Sequence, residues 1–215
     1  MSIAKKFEVI ADEVYEKGIS DERRRFWESF TNNGTRTNYS GAFGYGWNCE
    51  ELDCPPELFK PTNLESAFVQ CNIKKIDIDT STCTKLSYGF YYSNAYEIGV
   101  VDCRNASNLD RLFCACPNLA IVRKVIVKEE NTYTMMFDWN YKIEHIIFEG
   151  TIAQNGFSIS SHSRLDHESL MSIINCLKDF SESEETHTIT LGTQNLNKLT
   201  DAEKAIATEK GWTLA

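Results

Sequence analysis

A phenylalanine that recurs at a nearly fixed interval constrains this chain more than any other feature. Phe68, Phe90, Phe113 and Phe137 lie 22, 23 and 24 residues apart. Their frames are alike: Ala67-Phe68-Val69-Gln70-Cys71, Gly89-Phe90-Tyr91-Tyr92-Ser93, Leu112-Phe113-Cys114-Ala115-Cys116 and Met136-Phe137-Asp138-Trp139-Asn140. Three places after each Phe stands a small or polar residue: Cys71, Ser93, Cys116, Asn140. An apolar residue follows at five or six places: Ile73, Tyr96, Leu119, Ile143. A β-rich run then ends each copy, at Ile76-Asp77-Ile78, Ile98-Gly99-Val100, Val125-Ile126-Val127 and Ile146-Ile147-Phe148. A degraded copy begins at Ala42-Phe43, 25 residues before Phe68. A period near 23 residues predicts a solenoid. One short strand and one returning segment cannot bury an apolar face alone, so the coils stack into a parallel sheet over an elongated core. The place three after Phe points into a narrow turn, where cysteine serves as a small buried hydrophobe.

The frame Ala-Phe-x-x-Cys-x-x-(Leu/Ile)-x-x-Ile-x-Ile, best matched by the copies at Ala67 and Leu112, resembles the BspA-type leucine-rich repeats of bacteria. The tail is similar to the C-terminal end of many such proteins: Ser169-Leu170-Met171-Ser172-Ile173-Ile174-Asn175, then Thr188-Ile189-Thr190-Leu191-Gly192, then Leu199-Thr200-Asp201-Ala202-Glu203. The opening, Phe26-Trp27 with Asn33-Gly34-Thr35-Arg36-Thr37-Asn38-Tyr39 and Ala42-Phe43, resembles phage- and prophage-encoded members from gut bacteria. The resemblance implies an α/β fold, a leucine-rich-repeat right-handed solenoid with a curved parallel sheet. A helical N-terminal cap would occupy residues 1–41 and about five coils residues 42–160. A C-terminal repeat with a helix-strand-helix cap would occupy 161–215, all in one continuous domain. It also implies a non-enzymatic interaction module, a phage-particle accessory or adhesion protein that binds a protein or glycan through its sheet face.

The two ends read as helical. Ile3, Phe7, Ile10 and Val14, spaced by 4, 3 and 4, form a narrow apolar stripe ended by Gly18. It serves either to pair two copies of the chain as a homo-oligomer or to cover the first coil. A second helix from Ser20 or Asp21 carries Phe26, Trp27 and Phe30 on one face. Asp166 suits the N-cap of a helix through Leu177, Thr200 with Glu203 a capping box, and residues 187–191 a strand.

Charge and targeting exclude several functions. A net charge of −9 with no basic segment argues against nucleic acid. No apolar run reaches the ~18 residues of a membrane span. Met1-Ser2-Ile3-Ala4-Lys5-Lys6-Phe7-Glu8 lacks the apolar stretch of a signal peptide, so synthesis in the cytoplasm, with assembly into a phage particle, is expected. Eight cysteines in that reducing compartment are expected to be free. Cys49 and Cys54 are the one pair left open.

The segment Ser160-Ser161-His162-Ser163-Arg164-Leu165-Asp166-His167-Glu168-Ser169 holds every residue type of a hydrolase triad. The alternative function is therefore a hydrolase or glycan-processing enzyme using this loop with His145 or Glu149. Such clustering is not itself a triad signal, because triads are defined by geometry. No Gly-x-Ser-x-Gly, P-loop, dinucleotide fingerprint or His-Glu-x-x-His is present, and no cofactor or metal is expected. A binding face follows from strand alternation. With Ile76 and Ile78 inward, the outward row runs Asp77, Val101, Ile126, Ile147, Thr188, with Lys124 and His145 beside it. Three adjacent aliphatics on a surface mark a contact, unless a helix or another subunit covers them.

Overall fold

A computed structural model describes residues 20–159 and 164–215. The stripe Ile3, Phe7, Ile10, Val14 and residues 160–163 lie outside the described residues. The fold is a mixed α/β arrangement with two parallel sheets. Helix α1 (Asp21–Phe30) precedes β1 (Lys75–Ile76), β2 (Glu97–Asp102), β3 (Ile121–Val127) and β4 (His145–Gly150), which pair in that order. Then come β5 (Phe157–Ser158), helix α2 (His167–Cys176), β6 (His187–Thr190), α3 (Thr193–Leu196), α4 (Asp201–Glu209) and β7 (Trp212–Leu214). The second sheet has the order β5-β6-β7. No helix among the described residues is long and apolar enough to cross a membrane.

The strand registers step by one sequence period: Lys75 pairs with Glu97, Glu97 with Ile121 and Ile121 with His145. Steps of 22 to 24 residues bring the phenylalanines into a column. Phe43 stacks on Phe68 at 4.8 Å between centroids, Phe68 on Phe90 at 5.3 Å, Phe90 on Phe113 at 5.4 Å and Phe113 on Phe137 at 5.2 Å. Ring planes stay within 3–14° of parallel, and all five rings are buried. The copy at Phe43 is thus part of the array. Phe148 and Phe157 meet Phe137 edge-on at one end, while Phe30 and Trp47 pack on Phe43 at the other. On α1, Trp27 is fully buried against Trp47, but Phe26 is partly exposed.

Opposite the strands, each copy runs through successive turns. Residues two before and two after each Phe are left-handed: Gly41, Ser66, Tyr88, Arg111 and Met135, then Tyr45, Gln70, Tyr92, Ala115 and Trp139, with φ between 48° and 65°. Alternate N–H groups serve different partners. Those of Phe43, Phe68, Phe90 and Phe113 donate to the next copy, to Ala67, Gly89, Leu112 and Met136 carbonyls at 2.8–3.0 Å. Left-handed Ser66, Tyr88, Gln70 and Tyr92 do the same. Intervening N–H groups close turns within their own copy, as Ala67 to Leu64 O at 3.0 Å. This alternation gives the buried backbone its partners without helix or strand.

The place three after Phe is buried in the four copies from Phe68 to Phe137, while Gly46 of the Phe43 copy is exposed. Cys71 Sγ lies 3.3 Å from Ser93 Oγ, Cys116 Sγ donates to Phe90 O at 2.9 Å, and Asn140 Nδ2 donates to Phe113 O at 2.7 Å. Size and donor capacity, not sulfur, define the site. All eight cysteines are free thiols, Cys49 and Cys54 included. Burial pushes the Cys54 and Cys83 thiols up to about 12.

After β4 the array stops pairing strand on strand. Helix α2 takes the next place, and its hydroxyls receive the edge: Ile146 N–H donates to Ser169 Oγ at 2.9 Å and Phe148 N–H to Ser172 Oγ at 3.1 Å. The expected N-cap holds, Asp166 Oδ1 accepting from Ser169 N at 2.8 Å. The capping box of Thr200 and Glu203 on α4 forms as expected.

Candidate recognition surface

The outward sheet face departs from simple alternation at β2 and β3. Ile98 and Val101 both face in, with Gly99 and Val100 between them; Val122 and Val125 do likewise around Arg123 and Lys124. The two strands carry the extra residue in register, Val100 opposite Lys124 and Val101 opposite Val125, and the β3–β4 pairing shifts between Val122 and Val125. An added residue moves every later side chain to the other face. Val101, expected outside, is therefore 1% exposed, and Val100 is 40% exposed in its place. Thr188 does not extend the row either. It lies on β6 of the second sheet, because α2 occupies the place beside β4. Asp77 is exposed, and Lys124, Ile126, His145 and Ile147 are half-buried. The expected aliphatic ridge is broken.

Charges on this face are mutually engaged. Arg123 pairs with Asp77 and, through Nε, with Glu97 at 3.3 Å. The Asp77 pair passes over Gly99, where a Cβ would overlap the carboxylate. Lys124 Nζ reaches Glu149 Oε2 at 2.7 Å. Exposed pairs of this kind contribute little stability, but they leave few free charges for a ligand.

The Ser/His/Asp segment resolves into a structural link. Asp166 Oδ2 accepts from His145 Nδ1 at 2.7 Å while Oδ1 accepts from Ser169 Oγ at 2.5 Å. The carboxylate stands between the other two, so His145 has no path to the Ser169 proton. Ser169 itself is fully buried. Partial burial works to raise the Asp166 pKa, but the bonds from Ser169 and His145 outweigh it and hold the carboxyl below its usual range. His167 turns away to Glu203 at 2.8 Å, Glu149 is held by Lys124, and His162 lies outside the described residues. Among the described residues no group of three or more His, Cys, Asp or Glu is placed to hold a metal ion.

Beside the strand starts, side chains of successive copies line up in two rows. The first contains Asn72, Asn94, Asn118 and Lys142. Asn94 Nδ2 donates to Asn72 Oδ1 at 2.8 Å, Asn118 Nδ2 to Asn94 Oδ1 at 3.5 Å, and Lys142 Nζ to Asn118 Oδ1 at 2.8 Å. The second contains Lys74, Tyr96, Ala120 and Glu144, whose backbones are paired copy to copy: Tyr96 N–H to Lys74 O at 2.8 Å, Ala120 to Tyr96 at 3.0 Å, Glu144 to Ala120 at 2.9 Å. The rows border a groove of about 440 Å³ that Arg164 also lines. Sequence reading missed this site by assigning Tyr96 to the interior. Ala95 fills that interior place at 0% exposure, and Tyr96 stands 49% exposed. The signal was present: Ala95 occupies the same distance from Phe90 as Ile73 does from Phe68.

The chain matches no protein-family model, no curated protein and no solved structure.

Proposed function

We propose that the chain is a BspA-like leucine-rich-repeat solenoid with helical ends, working as a non-enzymatic recognition module. A phage-particle accessory or adhesion role, contacting a protein or glycan, follows from the resemblance. One observation carries the recognition reading: equivalent side chains from four copies align in rows along a groove whose backbone hydrogen bonds are already made. Rows of this kind grip an extended partner through side chains, which is how stacked repeats build binding surfaces. The geometry around Ser169 favours this reading over hydrolysis, since its hydroxyl donates to the Asp166 carboxylate and accepts from Ile146 N–H.

The test is a binding screen of the intact chain against immobilised polysaccharides and envelope proteins, with release of reducing ends or new amines assayed on every ligand bound. A ligand held without turnover, and lost on substitution in the rows, is the expected result. Turnover abolished by Asp166→Asn or His145→Ala would overturn the non-catalytic reading.

A further inference from the structure

We propose that the groove beside the strand starts binds an acidic polysaccharide, a chain of pyranose rings bearing spaced carboxylates or sulfates. The inference rests on the recognition reading above and names its ligand class.

The groove carries more positive than negative charge. Lys74, Lys142 and Arg164 line the groove against a single carboxylate, Glu144, in a chain of net charge −9. Arg164 pairs with Glu144 at 3.3 Å. Lys142 is held by the amide of Asn118, not by an acid. Lys74 has no carboxylate within ion-pair range among the described residues. A local excess of cations in an acidic protein favours an anion there.

The uncharged groups select the kind of anion. Tyr96 presents a half-exposed ring next to the small side chain of Ala120, leaving room for a flat, C–H-rich sugar face against the aromatic face. The amides of Asn94 and Asn118 are fixed by their ladder, and fixed donors and acceptors bind hydroxyls with little loss of freedom. Neighbouring copies are separated by about one strand spacing, ~4.8 Å, a step comparable to the length of one sugar in an extended glycan. The interval from Lys74 to Lys142 then spans a short oligosaccharide.

Two other polyanions fit less well. A peptide adding as a strand needs unpaired backbone groups, and those of Tyr96, Ala120 and Glu144 donate to neighbouring copies. Nucleic acid carries a charge about every 1.7 Å of duplex, a density that an acidic protein with a local excess of two cations repels. A glycan with one anionic group every two sugars carries a charge density that Lys74 and Lys142, the cations left beside the Arg164–Glu144 pair, can match.

The probe is polygalacturonate oligomers, titrated calorimetrically into the intact chain at low salt. Methyl-esterified oligomers of the same length, hyaluronan, chondroitin sulfate, polyglutamate and single-stranded DNA run in parallel. Expected is saturable binding of at least one acidic polysaccharide that weakens as salt rises. Roughly tenfold weaker binding is expected for the methyl ester and for each of Tyr96→Ala and Lys142→Glu, with none for Lys124→Ala on the sheet face. Thermal melts check that each variant is folded, and Tyr96→Ala stands in if Lys142→Glu is not. Equal binding of ester and acid, or loss on Lys124→Ala alone, overturns the groove assignment and leaves the recognition reading intact. Preference for polyglutamate or DNA overturns the glycan class in the same way. No binding to any acidic polysaccharide overturns the inference, and the wider screen above then decides the recognition reading separately.

Discussion

Replacing Asn140 separates what the repeat requires three places after Phe from what it tolerates there. The buried amide makes three hydrogen bonds: Nδ2 donates to Phe113 O at 2.7 Å and Phe137 O at 3.1 Å, and Oδ1 accepts from Cys116 N–H at 2.6 Å. At about 0.5–1.5 kcal/mol each, their loss in Asn140→Ala amounts to roughly 2–4 kcal/mol, and the stranded Cys116 N–H pushes the effect toward the upper end. In the preceding copy Cys116 Sγ supplies one of these contacts, to Phe90 O at 2.9 Å. Asn140→Cys therefore keeps a donor for Phe113 O and loses about 1 kcal/mol less than Ala. Asn140→Leu strands the same groups and crowds a filled site, so it loses at least as much as Ala. Urea unfolding followed by circular dichroism reads the order wild type, Cys, Ala, Leu in falling midpoint at constant slope. Equal midpoints for Cys and Ala, or a loss below about 1 kcal/mol for Ala, would refute the reasoning: the position would then need small size alone.

Further outcomes follow from the same structure. Ser169→Ala leaves the Ile146 N–H unpaired beside α2, and a loss of about 1–3 kcal/mol is expected in the same assay; a midpoint unchanged from wild type would show that the edge of β4 finds another acceptor. Gly150 has φ +101°, and a Cβ there would overlap Val127 O, so Gly150→Ala should destabilise by about 1–3 kcal/mol. Cys83, whose thiol burial pushes up to about 12, adds stability that is complete below the unfolded thiol value near 8.5 and lost as pH rises toward the folded value. Melting temperature should fall above about pH 9, and fall less in Cys83→Ala; an identical alkaline slope in the two would count against it. Self-association through Ile3, Phe7, Ile10 and Val14 predicts that light scattering of the full chain gives more than one protomer's mass and that Phe7→Asp gives one. A monomeric wild type would remove that role.

What was legible in the sequence was whatever had to repeat in size. A column of rings about 5 Å apart places one large flat side chain in each copy, so the Phe period could be read, down to the degraded copy at Phe43. Helix ends were legible because Asp166 and Thr200 act within three residues of themselves. The turns opposite the sheet were hidden, since Tyr88, Arg111, Met135 and Trp139 are not residues that ordinarily favour a left-handed backbone. The bulge shared by β2 and β3 was hidden for another reason. Gly99-Val100 and Arg123-Lys124 add a residue inside strands whose neighbour β4 lacks it, and copy length does not reveal where the extra residue falls. The groove was overlooked because Tyr96 carries an aromatic ring that reads as apolar, when Ala95 was the residue turned inward.

The turn ladder opposite the sheet has a direction. In the copies from Phe43 to Phe113 the Phe and left-handed N–H groups point toward the next copy, and the carbonyls that receive them point back. In ordinary parallel strands neighbouring peptide dipoles alternate across the sheet and largely cancel; here they add, as they do along a helix. From Tyr39 to Ala115 the ladder therefore runs donor-forward, each copy giving its N–H groups to the next. A copy inserted or deleted whole preserves that polarity, whereas a copy joined in reverse would set donor against donor. Growth or shortening of such an array by complete periods is electrostatically silent in its middle, and only its two ends are under separate constraint.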